Sequence, residues 1–399
     1  MRKVCLCCFL SALSLLANGR VIPAGTEISV RLLSKVASDQ SKPKDPVEAV
    51  VVIPVVLDGD VVLPAGTKLR GSVLEAKPAL RADERAVLKL DFQELAGTEP
   101  LKMKSRVLLV DNARESVDDT GNILGIVASE TITARIDQGI DKVAKRSSAW
   151  GDILGMAKTT VFKPAVAEIQ YAPGVEMTIR LLEPITWTGA SEAPAGLTAQ
   201  TDMDTLYRTV NAQPFQTFAE KPPKPSDITN LMFLGSRQQL EAAFKAAGWD
   251  TAHDLTKESV LETMRSIAEL RGYKEAPMSV LLLEKRAPDL VYQKQLNTFA
   301  KRHHLRIWQR DAEFDGKPVW VSSSTHDIGI EFSEANRTFI HVIDPQIDRE
   351  RAKIVGDLVF TGKARALALV DRPGVPRKSR NATGDDIVTD GKMAVVALE

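Results

Sequence analysis

Four of the five histidines in this 399-residue chain, His303, His304, His326 and His341, fall in one short stretch. Imidazole exchanges a proton near neutral pH and ligates transition metals, so the grouping invites two chemistries. With a carboxylate from Asp327, Asp344 or Asp348, two or three imidazoles hold a divalent metal such as zinc or manganese and activate water. His304, His326 and His341 are the candidate ligands. Without a metal, His304 is a candidate general base, and Arg306 a clamp for an anionic group such as phosphate. Arg302, Trp308, Trp320 and Asp344 are candidates to line the same site and bind its ligand.

A plainer reading uses the same residues structurally. His326 and His341 are then hydrogen-bonded core residues, Asp344 a helix cap, and Asp348, Arg349, Glu350 and Arg351 a solvated helix face. No HExxH spacing, glycine-rich phosphate loop or G-x-S-x-G elbow is present, and Ser322, Ser323 and Ser324 precede His326 on one strand, no basis for a triad.

Three expected strands carry the histidines: 303–310, 317–332 and 339–344. Neighbouring strands lie about 4.8 Å apart, so rings at matching heights can converge. Alternation assigns Arg302, His304, Arg306 and Trp308 to one face and His303, Leu305 and Ile307 to the other. His326 shares a face with Ile328 and Ile330, Asp327 lies opposite, and His341 goes with Phe339 and Ile343.

The surrounding elements form an α+β domain over 227–371, with helices on one face of an antiparallel sheet. A strand at 230–235 leads to a helix that Ser236 caps and Gly248 closes. Thr256 caps a second helix ending at Gly272. Strands at 278–286 and 289–295 follow, and the last helix opens with Asp344 as N-cap and Pro345 behind it. The strings NLMFLGSRQQLEAAFKAAGW (230–249), APMSVLLLEKRAPDLVYQK (276–294), NTFAKRHHLRIW (297–308), STHDIGIEF (324–332) and FIHVIDPQIDRER (339–351) together resemble the LssY C-terminal domain family over about 227–362. The resemblance implies an envelope-associated module, sometimes joined to membrane domains of the lipid-phosphatase class, and no defined reaction.

Residues 20–190 read as all-β, a barrel or sandwich with a helical insertion at 128–162. Alternating strands open on Pro23-Ala-Gly-Thr26 and Pro64-Ala-Gly-Thr67, with a weaker copy at 171–184. With Gly71 in LRGSV and the returning PGVEMTIRLL strand, this half is similar to the TrbI-type barrel. That family supplies the scaffold of type IV secretion channels near the outer membrane. It carries an inner-membrane helix and a Pro-rich linker, so the likeness implies the fold alone.

Arg2, Lys3 and the short apolar run Val4–Ala17 read as a signal peptide over 1–19, too short for the roughly 20 residues a membrane span needs. Cys5, Cys7 and Cys8 all lie inside it, so cleavage before Arg20 leaves no thiol and excludes disulfides and thiolate zinc sites. Residues 191–226 read as a linker pinned by Tyr207, Phe215 and Phe218, and 372–399 as a flexible tail. Formal net charge is zero, which argues against nucleic acid. The expected protein is periplasmic or envelope-associated, without a membrane span once processed. It is expected to bind an envelope protein or a cell-wall or lipid component. The alternative is a hydrolase acting on a phosphorylated or lipid-linked envelope substrate.

Overall fold

The computed structural model describes residues 19–57, 60–97, 100–131, 165–188, 202–220, 223–251, 266, 269, 278–298, 300–333 and 338–399. The expected signal peptide up to Asn18, the expected helical insertion beyond Thr131 and nearly all of the helix expected from Thr256 lie outside the described residues.

Period-two alternation builds the first half. In β1 (Glu27–Leu32), Ile28, Val30 and Leu32 are buried while Ser29 and Arg31 face away from them. The inward face continues through β2 (Pro46–Val51), β3 (Lys68–Lys77), β4 (Val87–Leu95), β5 (Ser105–Val110), β6 (Asn122–Leu124) and β7 (Glu176–Leu181). The antiparallel order is β5-β7-β1-β2-β3-β4-β6. Leu101–Lys102 pairs back onto β4, and the Ser105 hydroxyl donates to the Phe92 carbonyl at 2.9 Å, so the sheet curls into a nearly closed barrel. Its launching turns work as their composition implies. Gly25, Gly66 and Gly174 sit at φ 87°, 88° and 101°, where a Cβ is disfavoured, and Thr26 and Thr67 donate back to Pro23 and Pro64.

The second half is α+β. Its strands are β8 (Gln216–Ala219), β9 (Lys224–Leu234), β10 (Leu290–Lys294), β11 (Arg302–Phe314), β12 (Lys317–Ser333), β13 (Thr338–Ile343), β14 (Ala364–Asp371) and β15 (Lys392–Leu398). Strands β10, β11, β12 and β9 lie side by side and antiparallel, and β13 pairs with the far end of β12. Asp315 and Gly316, both at positive φ, turn the β11–β12 hairpin. The helices are α1 (Met203–Asn211), α2 (Arg237–Ala246) and α3 (Ile347–Phe360). Ser236 and Gln239 close a reciprocal capping box on α2, a device that stabilises by about 1 kcal/mol. Leu305, Ile307 and Trp320 pack under α2 and α3, while Trp308, Val319 and Val321 pack with Leu206 and Val210 of α1.

Several expectations need correction. The 372–399 segment is no flexible tail: β15 pairs in parallel with β9 and antiparallel with β14, at the heart of the sheet. MAVVAL (393–398) is apolar on successive residues because both faces of that strand are covered. The expected linker contains α1 and β8, and α1 packs on the opposite face from the other helices. Leu206 and Val210 anchor it, not Tyr207 and Phe218, which are exposed. The expected strand at 278–286 shortens to Leu281–Leu282, because Glu284 and Lys285 turn the chain at positive φ. Helix α3 begins two residues late, with Gln346 at its N-terminal boundary and no side-chain cap bond. The Pro345 carbonyl is drawn instead to the Val388 amide at 2.7 Å, and Asp344 Oδ1 accepts from the Gln346 amide.

A buried ionic seam joins the halves. Glu176 of β7 and Arg31 of β1 are cross-strand partners, and Arg31 Nη2 donates to Glu176 Oε1 at 2.6 Å. From the other half, Lys294 reaches Glu176 Oε1 at 2.9 Å and Asp357 Oδ2 at 3.0 Å. Lys353 bonds Glu176 and lies 2.9 Å from Asp357 Oδ1. Burial pushes the Glu176 carboxyl up, but Lys353, Lys294 and Arg31 together hold it well below the usual range. Helix α3 comes so close to the barrel that a Cβ on Gly356 would meet Ile53 Cγ1 at 3.0 Å.

Candidate functional site at the seam

The β11–β12 register places Arg302 opposite Asp327, His303 opposite His326 and His304 opposite Thr325. Residues directly opposite point to the same face, so the histidines divide into two sets.

One set gathers on Asp327. His304 Nε2 donates to Asp327 Oδ1 at 2.8 Å, Arg302 Nε donates to Oδ2 at 2.9 Å, and His341 Nδ1 lies 3.1 Å from Oδ2. Ile343 is the cross-strand partner of Asp327, and His341, two residues away on β13, therefore shares this face. Asp327 is 1% exposed. Burial pushes its carboxyl up, but His304, His341 and Arg302 hold it far below the usual range. Burial also pulls His341 down to about 4, leaving a neutral ring at neutral pH. Arg302 Nη1 is further used by Gln293 Oε1 at 3.1 Å.

The second set lies on the opposite face, where the barrel arrives. His303 donates from Nδ1 to Glu350 Oε2 at 2.6 Å and from Nε2 to Asp111 Oδ2 at 2.8 Å. Burial works against the charged ring, but the two carboxylates outweigh it and raise His303 to about 10. His326 stacks on it, centroids 4.2 Å apart, and its Nε2 lies 2.8 Å from Asn112 Oδ1. Burial and the neighbouring imidazolium push His326 down to about 4. Asp111 and Asn112 belong to the loop after β5, which also docks through Lys301 to the Ala113 carbonyl and Asn297 to Glu115.

His304, Asp327, His341 and Arg302 therefore meet, whereas His326 lies across the sheet from them. The ligand trio His304, His326 and His341 cannot share one ion. Arg306 shares the His304 face but spends its guanidinium on the Ser279 carbonyl at 2.9 and 3.1 Å, with Asp227 at 3.5 Å. Trp308 and Trp320 sit on opposite faces, are at most 1% exposed, and donate to the carbonyls of Arg286 and Gly235. Asp344 shapes the turn into α3. Asp348 accepts from the Thr389 hydroxyl and the Asp390 amide, so neither carboxylate joins the rings. Sequence reasoning missed His303 as a site residue, together with Asp111, Asn112 and Glu350. The sequence grouped His303 with the other histidines, and its pairing with His326 came only from the strand register.

Fold and site together define a two-part protein: a β-barrel clasped through buried ion pairs to an α+β module. Residues 211–393 match the family model described as the LssY C-terminus. The similarity runs from the end of α1 to the start of β15. No curated protein matches the chain. Among the described residues, no helix is long and apolar enough to cross a membrane.

Proposed function

We infer that this is an exported cell-envelope protein that binds or scaffolds rather than catalyses, its barrel and LssY C-terminus-like module acting as one rigid unit toward an envelope protein or a cell-wall or lipid component. One observation carries the reading. Glu350, Asp327 and Arg302, beside His303 and His304, are buried and, with the part-buried Asp111, already paired at 2.6 to 2.9 Å, which locks a structure and leaves little reach for a substrate. The charged, apolar and small-residue pattern of 1–19 supports export, and the likeness of 211–393 to the LssY C-terminus supports the envelope setting. The TrbI-type likeness of the first half rests on its turn motifs alone and bears on its fold, not on its role.

The hydrolase reading keeps one supporting observation: the His341 side chain is 20% exposed while Asp327 orients it. Two measurements separate the readings. Amino-terminal sequencing of the protein from the periplasmic fraction should begin at Arg20, and an unprocessed cytoplasmic chain would contradict export. The purified chain should not hydrolyse p-nitrophenyl phosphate above background. Turnover abolished by His341→Ala would replace the binding reading with the hydrolase.

A further inference from the structure

At the centre of the seam, Asp111, Asn112, His303 and His326 bring oxygen and nitrogen donors to one point. Asp111 Oδ2 lies 2.8 Å from His303 Nε2, and Asn112 Oδ1 lies 2.8 Å from His326 Nε2. The donor atoms of Asp111, His303 and His326 all fall within 4.8 Å of one another. We propose that these residues form a divalent-cation site, suited to zinc, that staples the barrel to the second half. It stands independently of the envelope assignment and uses neither His304 nor His341.

Three features argue for it. Zinc takes four nitrogen and oxygen donors at about 2.0–2.2 Å, which sets tetrahedral donors roughly 3.4 Å apart. The observed spacings bracket that value, so small side-chain rotations suffice. Second, Glu350 Oε2 accepts from His303 Nδ1 at 2.6 Å, the carboxylate–histidine pairing that fixes a ligating ring and raises its basicity. The other Glu350 oxygen is buried without a hydrogen-bond partner, so the pocket holds carboxylate charge beyond what the imidazolium uses. Third, Asn112 holds φ at 52° and its Nδ2 donates to the Lys294 carbonyl at 3.1 Å, which turns Oδ1 toward the rings. Lys353 is the nearby cation that opposes binding, and Glu176 and Asp357 already engage it. On binding, His303 loses its Nε2 proton to solvent and His326 carries its remaining proton on Nδ1, freeing one lone pair on each ring.

The full chain, stripped with a chelator, would be titrated with zinc chloride alone and followed by calorimetry and thermal melting. Cobalt(II) would serve as a visible-absorption probe of the ligand field. One zinc per chain and a higher melting temperature are expected. His326→Ala and Asn112→Ala should weaken binding about tenfold or more, and Glu350→Gln by about 10- to 100-fold, with His341→Ala unchanged. Substoichiometric binding without a melting shift in the wild-type chain would overturn the proposal, and needs no variant to fold. So would affinity that survives both His326→Ala and Asp111→Asn.

Discussion

His303 and His326 lie face to face, ring centroids 4.2 Å apart and planes 23° apart, yet they hold opposite protonation states. Asp111 and Glu350 keep the first charged, and that charge helps keep the second neutral. A neutral ring stacked on an imidazolium avoids like-charge repulsion, so each ring's state depends on the other.

Removing the charged ring should therefore cost far more than removing the neutral one. His303→Ala leaves Asp111 and Glu350 unpaired in a buried site, a loss of about 3–5 kcal/mol. His326→Ala forfeits one hydrogen bond and a stacked ring, about 1–3 kcal/mol. Urea denaturation in chelator-containing buffer measures both. Equal, small losses would mean that the pair is solvated.

Stability should peak near neutral pH. The folded-state pKa of His303 is raised, so its contribution is complete below about 6.5 and is lost as pH rises through about 10. His326 and His341 are pushed down to about 4. Between about pH 6.5 and 4 the unfolded chain binds those protons and the folded chain does not, so stability falls on acidification. Below that range the depressed carboxyls of Asp111, Glu176 and Asp327 add to the loss. Melting temperature against pH reads the curve. A profile flat from pH 4.5 to 7, or one still rising at pH 9, would be incompatible with these environments.

Glu176→Gln should loosen the two halves. It strips a carboxylate from between Arg31, Lys294 and Lys353 and leaves Asp357 as their remaining carboxylate. A cost of about 3–5 kcal/mol is expected, the value for breaking a buried pair on one side. Chemical denaturation should change from one transition to two as the halves uncouple. A single unshifted transition would show that the seam contributes little.

Deleting residues 392–399 should unfold the second half, because β15 bridges β9 and β14 and supplies Met393, Val395 and Val396 to its cores. Circular dichroism and melting of the truncated chain test this. An unchanged melting temperature would restore the tail reading.

Local pattern made much of this visible. The Pro-Ala-Gly-Thr turns, the α2 caps and the faces of β11 follow from turn chemistry and strand period, whereas the meeting of Arg302 and His304 with Asp327 depends on the β11–β12 register. The rest depends on distant partners. The ring of His303 is defined by Asp111, 192 residues away in the other half, and by Glu350 on a helix 47 residues on. No periodicity reports either contact. His341 reaches Asp327 because β13 pairs its Ile343 with Asp327, a register between strands that the sequence pattern does not report. The tail was misread because a strand covered on both faces does not alternate.

Proton NMR of the histidine rings, recorded on the chelated full-length chain from pH 4 to 10.5, tests the account most directly. His303→Gln and His326→Gln spectra would assign the signals. His303 should stay protonated until about pH 10 while His326 stays neutral down to about pH 4. Both rings titrating independently near 6.5, the value of a free imidazole, would contradict it.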